Sequence, residues 1–332
     1  MQRVAAVLAM SVLVLGTIIT GQRAAESSDT WKVAIGGETP DHGIQAQIFA
    51  PGLMSIRAGD TVTWSMASLF EHTVTFLSGA KPPAPVVPEE GGKFRFNPMV
   101  FNPQGGPAYN GKGVASSGFL QAKASYSLTF TKPGKYSYMC LLHQGMIGTV
   151  VVLAPGKKLP ADQAELDRAG AVQVKSALAR GGSLVKATKP SVIRSAKGAT
   201  YVSPMVGARG SASVIRFLPE SLSIKVGDTV RWELRDPMEL HTITFSGADQ
   251  PPEFVMPQPQ PQGPPKVYFN PKTVVRLGGL THAGNGYYNS GFLAVDAPGP
   301  KTYSLTFTRP GTYTYWCVVH VPQGMKGVIN VQ

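Results

Sequence analysis

The sequence predicts an all-β protein made of two tandem Greek-key sandwich domains, joined by a linker that contains one short helix. Three observations indicate this class. The 332 residues include 37 glycines and 28 prolines, which favours short strands and many turns. Blocks of sequence from the first half recur in the same order in the second half. A stretch of helix-forming residues separates the two copies.

Several motifs of the first half return about 170 residues later. The stretch FAPGLMSIRAGDTVTW from Phe49 matches FLPESLSIKVGDTVRW from Phe217, and YSLTFTKPGKYSYMC, which ends at Cys140, matches YSLTFTRPGTYTYWC, which ends at Cys317. In both copies apolar residues alternate with small polar ones around Gly-Asp and Pro-Gly turns, a pattern typical of antiparallel hairpins. We therefore interpret the repeat as a tandem duplication of one β-sandwich.

The repeats divide the chain into four segments. We expect a signal peptide or N-terminal anchor, a first sandwich domain, a basic linker with the helix, and a second sandwich domain, at residues 1–25, 30–155, 156–200 and 201–332. Each domain carries a long insertion rich in proline and glycine. These insertions are interpreted either as functional loops or as covers over a sheet, at about residues 78–116 and 247–289.

The first residues have the outline of a secretory signal. One arginine precedes an apolar run from Val4 to Thr20, and cleavage is expected near Gly21. The run is close to the shortest length that spans a bilayer, so an uncleaved anchor remains the alternative. In either case the protein is expected to be periplasmic or extracellular.

The linker holds most of the excess positive charge. The formal net charge of the chain is +12, and residues 155–216 contain six lysines, five arginines and three acidic residues. A helix is expected from Ala161 to Arg180, ended by Gly181-Gly182 and followed by a loose connector. The segment is interpreted as a solvated spacer, with an anionic membrane surface or an acidic protein as the alternative partner. No nucleic-acid-binding motif is present, so nucleic acid is not expected as a partner.

The two cysteines of the chain occupy equivalent positions in the two copies. A disulfide would join equivalent strand ends of separate domains, which conflicts with the close Cα approach that the bond requires. Each cysteine is instead followed by a histidine and a methionine, and each copy supplies one more histidine upstream. The eight candidate ligands are His72, Cys140, His143 and Met146 in the first copy, and His241, Cys317, His320 and Met325 in the second.

This set of side chains is typical of a type 1, or blue, copper site. Such a site has two histidines and a cysteine in a plane, with a weak axial methionine. Zinc is the competing metal, but structural zinc sites use cysteine, histidine and carboxylate ligands and not methionine. The sequence therefore predicts two copper ions in each chain, one in each domain.

Both copies resemble the cupredoxins, the group of plastocyanin, amicyanin and azurin. The resemblance covers roughly residues 45–153 and 213–332. The spacing from Cys317 to Met325 is similar to that of plastocyanin, and the tighter loop that starts at Cys140 is similar to that of amicyanin. Small cupredoxins usually have asparagine directly after the upstream histidine. Both copies have threonine there, so the hydrogen bonds that fasten the cysteine loop are expected to differ.

The resemblance also implies a role for each histidine. His72 and His241 would be buried ligands, whereas His143 and His320 would lie at the edge, beneath apolar patches where a redox donor and acceptor dock. The residues expected to form these patches, or alternatively to pack in the core, are Leu141, Leu142, Ile147, Val318, Val319 and Pro322.

The expected function is electron transfer without enzymatic activity. Duplicated cupredoxins also form nitrite reductases and multicopper oxidases, but those enzymes build further copper centres from additional histidines. Beyond the candidate ligands only His42 and His282 remain, and His282 is interpreted as a surface-loop residue. A copper-dependent oxidoreductase and a protein that buffers or delivers copper are the alternative functions.

Overall fold

The computed structural model describes residues 28–196, 198–247, 250–295 and 299–332. Strands hold far more of these residues than helices do, and they form two β-sandwiches with a helix between them, which confirms the predicted fold class. The expected signal peptide or anchor lies outside the described residues. Within the described part of the chain, no helix combines the length and hydrophobicity needed to cross a bilayer.

Short strands build the first domain. In chain order its elements are β1 (Thr30–Ile35), β2 (Ile44–Ala46), β3 (Phe49–Ala50), β4 (Leu53–Arg57), β5 (Thr61–Met66), β6 (Thr75–Phe76), β7 (Val86–Glu89), a 3₁₀ turn (Glu90–Gly92), β8 (Lys93–Phe96), α1 (Pro98–Phe101), β9 (Ala108–Tyr109), β10 (Ala115–Ser116), β11 (Ser125–Phe130), β12 (Gly134–Met139) and β13 (Ile147–Leu153). One sheet has the strand order β3-β1-β5-β11-β9, and the other has the order β10-β6-β12-β13-β4.

The second domain repeats this plan after the linker helix. The elements are α2 (Gln163–Ala187), β14 (Ser191–Ser195), β15 (Gly198–Ala208), β16 (Ala212–Val214), β17 (Ser221–Ile224), β18 (Thr229–Arg235), β19 (Thr244–Phe245), β20 (Val255–Gln258), β21 (Lys266–Phe269), α3 (Pro271–Val274), β22 (Arg276–Leu277), β23 (Thr281–His282), β24 (Tyr288–Ser290), β25 (Thr302–Phe307), β26 (Gly311–Trp316), a 3₁₀ turn (Val318–His320) and β27 (Lys326–Val331). Its sheets contain β16-β15-β18-β25-β23 and β17-β27-β26-β19-β24-β22.

Equivalent aromatic side chains fill the two sandwiches. Trp64 packs edge-on against Tyr138 with ring centroids 5.2 Å apart, and Trp232 packs against Tyr315 at the same distance. Alternate residues of a strand point to the same face, so the alternation in the repeated motifs directs these side chains inward. Tyr138 and Tyr315 each lie two residues before a cysteine, and the aromatic core therefore anchors the strands that lead to both cysteines.

The Gly-Asp turn that precedes β5 depends on one buried carboxylate. Gly59 has a φ of 103°, a left-handed conformation that favours glycine. The carboxylate of Asp60 then accepts hydrogen bonds from the backbone N–H groups of Asp29 and Arg57 and from the indole N–H of Trp31, at 2.9–3.0 Å. These bonds join β1, β4 and β5, which explains the recurrence of this dipeptide at the same place in the second domain.

The linker helix is longer than the sequence predicts. It begins with a capping box, in which Asp162 and Glu165 each accept from the other's backbone N–H. The prediction that it ends at Gly181 is wrong, because the helix continues for six more residues. Gly181 is buried, and a Cβ atom there would lie 2.3 Å from Cγ2 of Ile44. This glycine therefore allows close packing of the helix on β2 and does not end the helix.

Strand pairing, the linker helix and the long insertions all join the two domains. Strand β2 of the first domain pairs antiparallel with β16 of the second, with Ala46 opposite Ala212, and α2 packs across both strands. The long insertions pair with each other through Tyr268 and Arg95, which gives a sheet of order β20-β21-β8-β7. The expected loose connector is also partly ordered, because β14 pairs with β15. The insertions therefore pair across the two domains, and parts of them also join the sheets of their own domain, as β9 does with β11 and β23 does with β25.

Two glycines of α2 provide a matched test of this docking. A Cβ on Gly170 would lie 3.0 Å from the carbonyl carbon of Ala50, whereas a Cβ on Gly182 would meet no atom within 4 Å. We expect Gly170→Leu to destabilise the metal-free protein by about 1–3 kcal/mol through overpacking. Gly182→Leu should stabilise it by about 0.5–1 kcal/mol through helix propensity. Urea unfolding measures both, and equal effects would contradict the docking described here.

Candidate metal centres

Three side chains with ligand atoms meet inside the first domain. His72 precedes β6, Cys140 follows β12, and His143 lies three residues further along the chain. Sγ of Cys140 lies 3.7 Å from Nδ1 of His72 and 3.4 Å from Nδ1 of His143, and the two Nδ1 atoms are 3.0 Å apart. All three residues are buried. Their donor atoms converge closely enough for one ion to bind between them, and we call this centre 1.

The second domain contains the same cluster, centre 2. Sγ of Cys317 lies 3.7 Å from Nδ1 of His241 and 3.3 Å from Nδ1 of His320, and the two nitrogens are 3.2 Å apart. Each distance matches its counterpart in centre 1 within 0.2 Å. The repeat has therefore preserved the arrangement of three donor atoms as well as the sequence.

Each methionine closes the loop that begins at its cysteine. Cys140 N–H donates to the carbonyl of Met146 at 3.0 Å, and Cys317 N–H donates to that of Met325 at 3.1 Å. Both methionines are 1% exposed. The two extra residues of the second loop are taken up after its 3₁₀ turn, where Gly324 N–H donates to the carbonyl of Val321. Both loops thus bring a methionine back beside the cysteine, although they differ in length.

Threonine fastens both cysteine loops. Thr73 N–H donates to Sγ of Cys140 at 3.4 Å, and the Thr73 hydroxyl accepts from the N–H of Leu141 at 2.8 Å. In centre 2, Thr242 makes the same two bonds, at 3.3 Å to Cys317 and 2.9 Å from Val318. The departure from asparagine noted in the sequence therefore leaves each loop tied to the strand that carries the upstream histidine.

Burial determines the protonation states of the candidate ligands. Desolvation lowers the pKa of His143 and of His241 to about 3, and lowers the pKa values of the other two histidines well below the usual range. Desolvation also raises the pKa of the Cys317 thiol to about 11, and the pKa of Cys140 is raised for the same reason. The imidazoles are therefore neutral at pH 7 and ready to bind a metal, whereas each thiol must lose a proton first.

One carboxylate lies between the two centres and contacts the outer nitrogen of one histidine in each centre. Oε1 of Glu239 lies 3.2 Å from Nε2 of His143, and Oε2 lies 3.7 Å from Nε2 of His320. Gln47 of the first domain donates to Oε1 at 2.7 Å. Burial raises the pKa of Glu239 well above its usual range, and the neighbouring Asp236 adds to this shift. The carboxylate is therefore enclosed between the two domains.

Phe70 lies at the same junction. Its ring stacks on His320 with centroids 5.2 Å apart and contacts His143 at 5.8 Å. The sequence analysis missed both Phe70 and Glu239. The available signal was the repeat itself, because each residue lies two positions before an upstream histidine, and this position holds phenylalanine in one copy and glutamate in the other.

This junction changes the expected exposure of the edge histidines. His143 and His320 are only 4% and 2% exposed, because each imidazole is covered by the other domain. The patches predicted around them are partly buried as well, with Leu141 and Val318 in the core and Ile147 56% exposed. A partner can therefore reach the loops beside the histidines, but not the faces of the imidazoles.

The two remaining histidines lie apart from both centres. His42 lies on the surface side of the first domain, with Nδ1 2.9 Å from a carboxylate oxygen of Glu38. The expectation that His282 is a surface-loop residue is wrong, because it is 3% exposed and stacks between Tyr288 and Phe307. Its Nδ1 accepts the N–H of Gly284 at 3.2 Å. His282 is thus a core residue of the second domain.

Comparison with known proteins agrees with this geometry. Residues 41–153 and 205–332 match the family described as copper binding proteins, plastocyanin/azurin family. The chain belongs to this family.

Plastocyanin of Prochlorothrix hollandica is 30% identical over 153 residues, covering 46% of this chain and 93% of that protein. Amicyanin of Paracoccus denitrificans is 27% identical over 99 residues, covering 30% of this chain and 53% of that protein. A solved structure of an oxidised amicyanin mutant is 25% identical, with a TM-score of 0.25, and covers 39% of this chain and 88% of that one.

The donor set fits the metal of the plastocyanin/azurin family. A thiolate is a soft ligand that selects copper, zinc or iron–sulfur clusters, and imidazole suits copper and zinc. Each centre joins one thiol to two neutral imidazoles at a buried site, with a buried methionine beside it. The residues present therefore fit copper in both domains.

The threonine contacts predict a local effect of substitution. Thr73→Val removes the acceptor of the Leu141 N–H and leaves that buried group unpaired, which costs about 1–3 kcal/mol. We expect copper bound at centre 1 to exchange faster with a chelator, while centre 2 stays unchanged. Thr242→Val should give the reverse pattern. Copper release measured in both variants checks this, and equal loss from both centres in either variant would contradict it.

The thiol pKa values predict that metal binding releases protons. Both thiols are protonated at pH 7 in the metal-free protein, and the four histidines carry no extra proton. Binding of Cu(I) should therefore release about one proton per centre, and affinity should rise about tenfold for each pH unit between pH 5 and pH 8. Calorimetry in buffers of different ionisation enthalpy measures the proton count. Binding without proton release would contradict the assigned protonation states.

Proposed function

We propose that this protein is an extracytoplasmic electron carrier with two mononuclear type 1 copper sites, one in each domain. It acts by exchanging single electrons with other redox proteins and is not an enzyme. The proposed ligands are His72, Cys140, His143 and Met146 in centre 1, and His241, Cys317, His320 and Met325 in centre 2.

The observation that carries this proposal is the repeated cluster of one thiol and two imidazoles. Type 1 copper is held by this set of ligands with a weak axial methionine. The resemblance of each domain to plastocyanins and amicyanins supports the same function. Bound copper supplies a one-electron couple between Cu(I) and Cu(II).

The contribution of the chain is a rigid and dry cavity. The ligands come from strands tied into the aromatic core, and the threonine bonds fasten the loops between them. Ligands that cannot move hold one geometry for both oxidation states. Little reorganisation is then needed when an electron arrives, and this is the property that a carrier requires.

Partner proteins are proposed to dock at the loops beside the centres. Ile147 is exposed next to the methionine of centre 1, and Pro322 is exposed on the loop of centre 2. An apolar partner surface fits these positions. The basic face of α2, with Arg168 and Lys175 exposed, is proposed to contact an anionic membrane surface or an acidic protein.

Copper analysis combined with visible and electron paramagnetic resonance spectra tests this function. We expect two copper ions per chain, an intense blue absorption and reversible one-electron reduction of both sites. Cys140→Ser and Cys317→Ser should each remove half of the copper and half of the blue absorption.

Three results would contradict the proposal. Zinc binding in preference to copper would exclude it, as would turnover of nitrite or oxygen by copper beyond the two proposed ions. Rapid exchange of copper with a chelator, together with slow electron exchange with redox proteins, would indicate copper delivery instead.

A further inference from the structure

One carboxylate contacts the outer nitrogen of a candidate ligand in each domain. Glu239 belongs to the second domain, yet its shorter contact, 3.2 Å, is to His143 of the first. The other oxygen lies 3.7 Å from His320. The Glu239 side chain is 7% exposed, and the two imidazole side chains are 5% and 3% exposed. This contact is therefore buried and shielded from competing water.

The direction of the hydrogen bonds follows from the centres themselves. In each centre Nδ1 faces the cysteine sulfur, so Nδ1 is the atom available to a metal. A neutral imidazole that binds metal through Nδ1 carries its proton on Nε2 and donates it outward. Glu239 is thus the acceptor for His143 at 3.2 Å, and its other oxygen faces the outer nitrogen of His320 at 3.7 Å, beyond hydrogen-bond distance. An acceptor of this kind fixes the tautomer and orientation of a metal-binding histidine.

Residues of the first domain surround Glu239 and the two imidazoles. Gln47 of the first domain donates to Oε1, the oxygen that contacts His143. Phe70, also of the first domain, packs against both imidazoles. The Phe70 contacts place the two imidazole centroids at most about 11 Å apart, which is the length of the two contacts end to end.

The repeat shows that this arrangement is specific to one domain. Phe70 occupies in the first domain the position that Glu239 occupies in the second. A symmetric duplication would place a carboxylate beside each centre or beside neither. This repeat position instead provides one carboxylate, and its two oxygens face different centres.

We propose that Glu239 couples the two metal centres, so that the charge at one centre alters the reduction potential of the other. This inference rests on the proposed function, since it assumes that both centres bind copper. With this coupling, the two domains act as one electron-transfer unit and not as two independent carriers.

The sign of the coupling follows from the shared acceptor. A more positive metal withdraws charge from its imidazole and makes the outer N–H a stronger donor. Glu239 then binds that histidine more tightly and supports the other one less. Each centre is therefore reduced more easily when the other is oxidised, and simple charge repulsion acts in the same direction. At an effective dielectric near 20, a unit charge about 15 Å away changes such an equilibrium about sixfold to sevenfold.

Glu239→Gln is the informative substitution because glutamine keeps the shape but has one acceptor oxygen and one donor amide group. It can accept from only one of the two histidines, and it removes the negative charge. The variant is measured in two backgrounds, Cys317→Ser, which leaves only centre 1, and Cys140→Ser, which leaves only centre 2. The readouts are the reduction potential and the paramagnetic resonance spectrum of the remaining copper.

We expect the single change Glu239→Gln to raise the potential in both backgrounds. A tenfold shift toward the reduced state, about 59 mV for one electron, is the expected size at centre 1. The shift at centre 2 should be smaller, because its contact with Glu239 is longer. Glu220→Gln is the matched control, since it makes the same substitution at a carboxylate of the second domain that is 57% exposed and paired with Arg216. It should move neither potential by more than a small fraction of that amount.

A second measurement keeps Glu239 intact and does not depend on folding of the glutamine variant. In Cys317→Ser, Cu(I) is added to fill centre 1, and the side-chain N–H resonance of His320 is followed by nuclear magnetic resonance. The resonance should shift on filling, although His320 lies in the other domain. The shift should be lost when Glu239→Gln is added.

The outcomes separate this inference from the proposed function. If neither single-centre protein binds blue copper, the proposed function fails. If both bind blue copper but Glu239→Gln moves only one potential or neither, the coupling is wrong and the electron-carrier function stands. An unchanged His320 resonance on filling centre 1 would also overturn the coupling.

Discussion

The close approach of two imidazoles and one thiol in each core is the constraint on which the rest of the structure depends. Buried polar groups are costly unless they are paired, and these three groups have mainly each other as partners. The lowered histidine pKa values and raised cysteine pKa values express this cost. A bound cation satisfies all three groups at once, which is why the aromatic core, the threonine bonds and the methionine loops converge on this point.

The second constraint is the face-to-face packing of the two domains. The strand pair between the domains, the linker helix and the paired insertions hold the two domains together. The junction between the domains covers the outer edges of centre 1 and centre 2. The edge of each centre meets the other domain, and Phe70 and Glu239 fill the space between. The edge imidazoles of both centres are therefore closed to solvent.

The sequence alone was enough to predict the features that depend on local residue patterns within each repeat. Alternation along the strands and the positions of Cys140 and Cys317 predicted two sandwiches with a cluster in each, because both depend on local pattern and on one fold used twice. The methionine roles and the copper itself stay predictions. Features that depend on how the copies meet were missed, including Glu239 and the pairing of the insertions. Gly181 was wrongly predicted to end the helix. A glycine is present there because the helix packs tightly against Ile44.

Anomalous diffraction at the copper edge, from crystals of the copper-loaded protein, tests the central claim most directly. Two mononuclear peaks are predicted, one between Cys140 and the Nδ1 atoms of His72 and His143, and one at the equivalent point of the second domain. A single peak at Glu239 between the domains, or copper bound away from both cysteines, would contradict the assignment of two blue copper centres.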